Sequence, residues 1–337
     1  MREASFFSQL SENAVRCELC PHNCIIKDGF RGICGVRINK SGKLFSEVYG
    51  RPVAIQTDPI EKKPLYHFYP GSQILSIGTM GCNLKCSFCQ NCEISQIGAE
   101  NQSFGYPRTI NEIILMAKEK QKNIGLAYTY NEPIIYYEYM TDLAFEIHKI
   151  GMKNVMVSNG FINPEPLSRL LNIIDAFNID LKSFSNDFYR KNTGSSLDPV
   201  LNTIKMIHDR GRHLELTFLV IPGLNDDAEV FDEMINWIVT NTGKKTVFHI
   251  SRYFPHYKMN TPPTPYKTLE RLFFKAKEKL DFVYLGNVAE AGSHDTICPV
   301  CNALLIKRNG YYSKIEGLDN QGRCAGCKEE IINFSDK

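Results

Sequence analysis

Nowhere in its 337 residues does the chain hold about 18 consecutive apolar residues, the length a membrane-spanning helix needs. Its opening stretch, MREASFFSQLSENAVR, lacks the apolar core of a secretory signal, so the expectation is a cytoplasmic protein with no membrane partner. An excess of one charge is missing too. Lys plus Arg (39) nearly cancels Asp plus Glu (37), which leaves nucleic acid without the basic footprint it usually requires of a partner. Neither a P-loop nor a hydrolytic triad stands among the motifs. Whatever chemistry the chain performs must come from groups other than a phosphate cradle or an activated serine.

What is abundant is cysteine. The twelve cysteines fall into three tight groups of four, and with no export signal metal binding explains that grouping better than disulfides do. Cys17, Cys20, Cys24 and Cys34 form C-x2-C-x3-C-x9-C in a segment threaded with Pro21, Gly29, Gly32 and Gly35. Four soft ligands there read as a closed site, for zinc or for an auxiliary iron–sulfur cluster. Cys298, Cys301, Cys324 and Cys327 form C-x2-C-x22-C-x2-C, which resembles a zinc ribbon and closes a structural shell. The middle group differs. In GTMGCNLKCSFCQNC (78–92), Cys82, Cys86 and Cys89 supply three thiolates from one loop that Gly78, Gly81 and Asn83 allow to curl. Three thiolates on a cubane of four irons leave one iron open, and an open position separates a reactive site from a structural one. A zinc knuckle recruiting Cys92 is the alternative; otherwise Cys92 is a buried or bystander thiol.

From Gln73 the pattern is regular: a short β-prone apolar run, a long loop or turn, then a helix with 3.6-residue periodicity. Strands are predicted at 74–79, 125–130, 153–158, 176–181, 213–221, 246–251 and 282–288. Helices are predicted at 109–121, 134–149, 165–172, 198–210, 226–240 and 267–279. Such alternation implies an α/β fold with a parallel sheet: a partial, open β/α barrel of about six units, with small cysteine-rich metal-binding segments at both ends. The expected domains are 1–72 (cysteine-rich segment and lead-in), 73–290 (barrel) and 291–337 (ribbon). Residues 1–16 read as a short helix or arm, and 43–72 as a lead-in with a strand or two. Its charged run DPIEKKPLYHF (58–68) is either a solvated face or the lining of a site mouth. The polar motifs follow successive strands: the cysteine loop, Asn131-Glu132-Pro133, Ser158-Asn159-Gly160, Asp180-Leu181-Lys182, Pro222-Gly223-Leu224-Asn225, and His249 with Arg252. In parallel α/β folds these C-terminal strand ends line the ligand site. Taken singly, each group also has an ordinary structural reading, as a turn, a helix start or a strand exit.

The cysteine spacing, with Phe88 just before the last cysteine, resembles the signature of the radical S-adenosylmethionine (SAM) superfamily. The cysteine loop, Asn131-Glu132-Pro133, Asp180-x-Lys182 and Pro222-Gly223 together resemble activases related to pyruvate formate-lyase activating enzyme. The DPIEKKP, GCNLKCSFCQN, YNEP and HISRYFP stretches are similar to the radical SAM member of the AmmeMemoRadiSam system. The resemblance implies a [4Fe–4S] cluster on Cys82, Cys86 and Cys89, with SAM chelating the fourth iron and Phe88 beside the adenine. Asn131, Glu132 and Pro133 stand where activases have Gly-Gly-Glu-Pro and would bind the methionine amino group. Lys182 would pair with the methionine carboxylate, assisted by Asp180. Asn159 and His249 would reach the ribose, His249 being equally a satisfied core histidine. The implied reaction is reductive cleavage of SAM to a 5′-deoxyadenosyl radical, which abstracts hydrogen from a protein or small molecule. Implied partners are an electron donor such as flavodoxin or ferredoxin and proteins of the Ammecr and Memo families. Two other readings are an iron–sulfur and zinc scaffold without turnover, which the Asp180/Lys182 pair argues against, and an RNA-modifying enzyme, which the missing basic patch argues against.

Overall fold

A computed structural model describes residues 1–100, 105–288 and 294–332. The centre is an eight-stranded sheet: β7 (Ala54–Pro59), β8 (Gln73–Gly78), β9 (Asn123–Tyr128), β10 (Lys153–Ser158), β11 (Ala176–Asp180), β12 (His213–Val220), β13 (Val247–Arg252) and β14 (Val283–Gly286). Every strand pairs with its neighbour in the chain, all in parallel except β7, which runs antiparallel to β8. The two edges are β7 and β14, so the barrel is open, with the expected six β/α units and, from the lead-in where a strand or two was expected, one antiparallel strand, β7. Runs such as Ile74–Gly78 and Ala176–Ile179 are buried throughout, as they must be when helices cover the sheet.

The helices are α1 (Cys92–Ser95), α2 (Ile110–Glu119), α3 (Tyr137–Lys149), α4 (Pro164–Leu170), α5 (Asn186–Thr193), α6 (Asp198–Asp209), α7 (Ala228–Thr242) and α8 (Tyr266–Lys277). α2 starts where its sequence dictates: the Thr109 side chain accepts from the Glu112 N–H while the Glu112 carboxylate accepts from the Thr109 N–H. α5 was not predicted, because only Phe188, Tyr189 and Thr193 of its eight residues are buried and the rest read as loop.

Residues 1–16 hold no α-helix, only a single 3-10 turn at Ser11–Asn13 between short strands. β1 (Arg2–Glu3), β2 (Phe7–Gln9), β3 (Val15–Cys17), β4 (Ile25–Ile26), β5 (Arg37–Lys40) and β6 (Lys43–Ser46) make two small antiparallel sheets, ordered β2-β3-β4 and β1-β6-β5. Phe7, Ser8 and Gln9 satisfy their backbone groups against Cys17, Arg16 and Val15, a tertiary pairing that local pattern does not announce. Val15, Leu19, Ile26 and Val36 join the same apolar cluster as Leu75, Ile77 and Phe177 of the barrel. The C-terminal segment, β15 (Thr296–Ile297), β16 (Leu304–Asn309) and β17 (Tyr312–Ile315), instead has a cluster of its own: Cys298, Leu305, Ile306, Cys324 and Ile332. The expected 290/291 boundary lies outside the described residues. Among those described, no helix is long and apolar enough to cross a membrane.

Candidate functional site

The C-terminal ends of the parallel strands surround a cavity of about 720 Å³, a volume in the range of small-molecule and cofactor sites. Cys82, Cys86, Cys89, Phe88, Asn131, Glu132, Asn159, Asp180, Lys182 and His249 all line it. Pro133, Arg252 and Pro222 to Asn225 do not. Asn225 works from behind: its side-chain amide donates to the carbonyls of Lys182 and Leu219, both at 2.8 Å, bracing the strand end that carries Lys182.

The cysteine loop is fixed by its neighbours rather than by itself. Gly81 has φ +87°, and a Cβ there would stand 2.6 Å from the Cys34 carbonyl oxygen and from Val36 Cγ1, so a side chain has no room. Asn131 donates to the Gly81 carbonyl at 2.8 Å and accepts from the Thr79 N–H at 3.2 Å. Asn159 donates to Asn83 Oδ1 at 2.9 Å, and the Leu84 N–H lies 3.3 Å from Cys82 Sγ. Burial pushes the Cys82 thiol well above its ordinary pKa and Cys86 up to about 11, the latter partly offset by Lys182. Such thiols ionise on meeting a metal, not before. The donor set fits an iron–sulfur cluster with an open face: three thiols share one cavity wall, and Cys92 is not with them. Half-buried on α1 and outside the cavity lining, Cys92 has its Sγ 3.6 Å from His256 Nε2, with Glu93 beside them, so it stands as a bystander to the three thiols rather than as a fourth ligand.

In the same cavity Lys182 Nζ donates to Asp180 Oδ2 at 2.9 Å. Burial works against the lysine's charge, but Asp180 and the Cys86 thiol more than offset it and raise its pKa. Glu132 is clamped: its carboxylate accepts from Ser158 Oγ at 2.8 Å and the Asn159 N–H at 2.8 Å, while burial lifts its pKa to about 7. His249 is a satisfied core histidine, its Nε2 2.6 Å from the buried Glu215 carboxylate, and it also lines the cavity.

The charged run of the lead-in is no solvated face. Asp58, Glu61 and Lys63 are buried, and Asp58 takes Lys62, Lys63 and the Tyr130 hydroxyl at 2.8, 2.6 and 2.7 Å. Although burial alone would raise it, these three contacts hold Asp58 well below the usual carboxylate range. Glu61, Lys63 and Tyr66 of that run line the cavity, as do Tyr130 of the YNEP stretch and two residues no motif singled out, His294 and Tyr311. The proline-flanked charge run was the one signal pointing to this wall.

The C-terminal cysteines converge on one another. Cys298 Sγ lies 3.5 Å from Cys327 Sγ, and Cys301 Sγ 3.5 Å from Cys324 Sγ. All four ligand atoms lie within 4.8 Å, a spacing that suits one tetrahedral ion. Arg308 of β16 plants the ribbon on the barrel, donating to the Tyr66 carbonyl at 2.8 Å and to Thr296 Oγ1 at 2.7 Å. All twelve cysteines are free thiols.

Comparison with known proteins agrees with this geometry. The Radical SAM superfamily pattern matches residues 76–238. An uncharacterised protein of Methanocaldococcus jannaschii is 42% identical over 98% of this chain and 99% of its own length. The 4-hydroxyphenylacetate decarboxylase activating enzyme of Clostridioides difficile is 23% identical over 40% of this chain and 45% of that one. The pyruvate formate-lyase-activating enzyme of Staphylococcus epidermidis is 23% identical over 45% of this chain and 63% of that one. In fold, the chain resembles a radical SAM methyltransferase from Sphaerobacter thermophilus with TM-score 0.51 at 11% identity, covering 65% of this chain and 67% of that one.

Proposed function

We propose, on the premise that the chain belongs to the radical SAM superfamily, that it is an enzyme which binds a [4Fe–4S] cluster and SAM in the 720 Å³ cavity and activates a protein or small molecule by hydrogen abstraction. The observation that carries this is that three thiols and the Asp180–Lys182 pair line one and the same cavity. Cys82, Cys86 and Cys89 would hold the cluster, leaving one iron for the nucleotide. When bound, cluster and SAM together supply one-electron reduction of the sulfonium bond, giving methionine and a 5′-deoxyadenosyl radical.

The chain's own residues bind, orient and shield. Lys182 offers its ammonium to the methionine carboxylate, a charge-assisted contact, with Asp180 holding it in place. Glu132 serves chiefly by fixing the β10 end, because both of its oxygens already accept protein hydrogen bonds. The methionine amino group therefore meets the backbone of 131–132 and the Asn131 edge. Phe88, buried against Phe188 at 5.9 Å between ring centroids, gives the adenine an apolar wall. Asn159 and His249 stand on the ribose side. Tyr66 and Tyr311 narrow the mouth and exclude water.

The finer reading keeps an activase-like oxidoreductase of the AmmeMemoRadiSam kind in the cytoplasm, supplied by flavodoxin or ferredoxin and associated with Ammecr-family and Memo-family proteins. Zinc in the C-terminal ribbon completes its cofactors, supported by the 3.5 Å thiol spacing. The test is anaerobic reconstitution with iron and sulfide, then SAM and dithionite, and measurement of 5′-deoxyadenosine. Formation of the nucleoside supports the enzyme; a loaded cluster that neither binds nor cleaves SAM removes it and leaves a scaffold.

A further inference from the structure

Behind the cysteine loop lies a second, smaller pocket. All four N-terminal thiols, Cys17, Cys20, Cys24 and Cys34, border it, together with Arg37 and Asn83. On sequence alone zinc is the first choice here and an auxiliary iron–sulfur cluster its rival, and the two make different geometric demands. A zinc ion with Zn–S near 2.3 Å draws its four thiolates to about 3.8 Å from one another. A cubane holds its thiolates at the corners of a much larger tetrahedron and needs room between them.

The same chain provides the standard of comparison. Among the described residues, the groups whose ligand atoms all lie within 4.8 Å of one another include the ribbon's four cysteines and do not include Cys17, Cys20, Cys24 and Cys34. The ribbon's thiols have closed to single-ion spacing; the N-terminal thiols stand apart around a void. A second observation points the same way. Arg37 is 1% exposed and spends its two terminal nitrogens on Glu138 and the Ser5 carbonyl, yet its Nε has no partner. A buried N–H without an acceptor calls for one, and the sulfurs of a cluster accept such bonds.

We propose that Cys17, Cys20, Cys24 and Cys34 bind a second iron–sulfur cluster rather than zinc, with Arg37 Nε donating to one of its sulfurs. The site adjoins the first. Cys34 packs its carbonyl against Gly81, the residue before Cys82. His22, on the rim of the void, has Nε2 2.8 Å from the carbonyl of Asn83, the residue after Cys82. The two metal centres are thus joined through the residues flanking a single cysteine. The identity of the second cluster stands independently of the SAM reading; its neighbourhood to a SAM-binding cluster rests on that reading.

The experiment is iron, sulfide and zinc analysis of the full chain purified anaerobically from cells supplied with both metals, with electron paramagnetic resonance after dithionite, which gives one electron to each cluster. The expected result is about eight irons and about one zinc per chain, with the reduced spectrum broadened by coupling between two nearby spins. The variant Cys82→Ala/Cys86→Ala/Cys89→Ala should keep about half the iron, lose the broadening, and show a signal indifferent to SAM. About four irons and two zincs in the unaltered protein, with all iron lost from the triple variant, overturn the proposal. The unaltered protein alone decides metal identity if the variant fails to fold. Eight irons with a spectrum that SAM never perturbs leave the second cluster standing and remove the SAM reading.

Discussion

The loop at Cys82 to Cys89 and the ribbon at Cys298 to Cys327 are both runs of cysteine in turn-rich sequence, and the fold treats them oppositely. The loop is held open by others: Asn131 and the Cys34 segment meet its backbone at Gly81, Asn159 holds the Asn83 side chain, and the barrel core lies beneath it. The ribbon docks on the barrel through Arg308, but its cysteines are gathered by one another. Its four thiols face one another at 3.5 Å pairwise spacing over a cluster of few apolar residues, too small a core to hold a fold without a metal. Cysteine count therefore does not distinguish a reactive centre from a structural one. The distinction lies in whether the surrounding protein keeps the thiols apart or lets them meet.

If that contrast is right, Cys86→Ala abolishes 5′-deoxyadenosine formation while the melting temperature of the barrel barely moves, because the loop does not rely on its metal for placement. Product assay beside calorimetry checks this; a barrel that melts with the loss of Cys86 breaks the contrast. Cys324→Ser should do the reverse. It removes about one zinc per chain and leaves the C-terminal segment open to proteolysis, since metal-binding free energy in such modules is largely folding free energy. Nucleoside yield per cluster should persist in the protein that stays folded. A variant that keeps its zinc yet loses turnover would show that the ribbon takes part in the chemistry.

Lys182→Ala sharpens the loop side. It should weaken SAM binding by roughly 1.5–3 kcal/mol, about ten- to a hundredfold, with iron content unchanged, as calorimetric titration would show. Acid sharpens the ribbon side. His67, buried beneath the ribbon's seat, has its Nε2 2.7 Å from the Tyr284 hydroxyl, which in turn meets Thr296 at 2.8 Å. Burial lowers its pKa to about 3, with Arg308, His213 and His249 pushing the same way and Glu215 opposing. The unfolded chain takes up this proton near pH 6.5 while the folded one does not, so stability is full above that pH and falls as pH drops toward 3, by at most about 1.4 kcal/mol per unit. The buried Glu215 adds a loss of the same sign at lower pH, because the bonds from His213 and His249 outweigh its burial and depress its pKa. Thermal melts from pH 7 to pH 4 should show the decline, and His67→Asn should flatten it. The smallest effect belongs to Cys92→Ala: cluster content measured by iron analysis stays as it was, because this thiol faces His256 rather than the cavity.

The barrel was legible because its signals are local. Ile74–Gly78 or Lys153–Ser158 declares a strand through its own apolar run, and Thr109 with Glu112 declares a helix start. The convergence of Cys82, Asn159, Asp180 and His249 followed from topology alone. What stayed hidden depends on partners distant in the chain. Phe7–Gln9 becomes a strand only against Val15–Cys17. Asp58 and Lys63 are buried only because Tyr130, 72 residues beyond Asp58, closes over them. Gly310 and Tyr311 reach the cavity only through the docking of Arg308 on Tyr66. The contact of Cys92 with His256 stayed hidden for the same reason, the two lying 164 positions apart.

The order of the central sheet also says how the molecule can be made. Since each strand lies beside its predecessor in the chain, the sheet can grow by adding one strand to an existing edge, closing a short segment each time rather than threading a distant one. During synthesis the N-terminal thiols and the three of the loop emerge together, while the strands carrying Asp180, Lys182 and His249 are still to come. Both cysteine groups pass through a stage in which they are made but not yet walled in. Metal delivery has its widest access then, and the nucleotide pocket takes shape around centres that can already be in place.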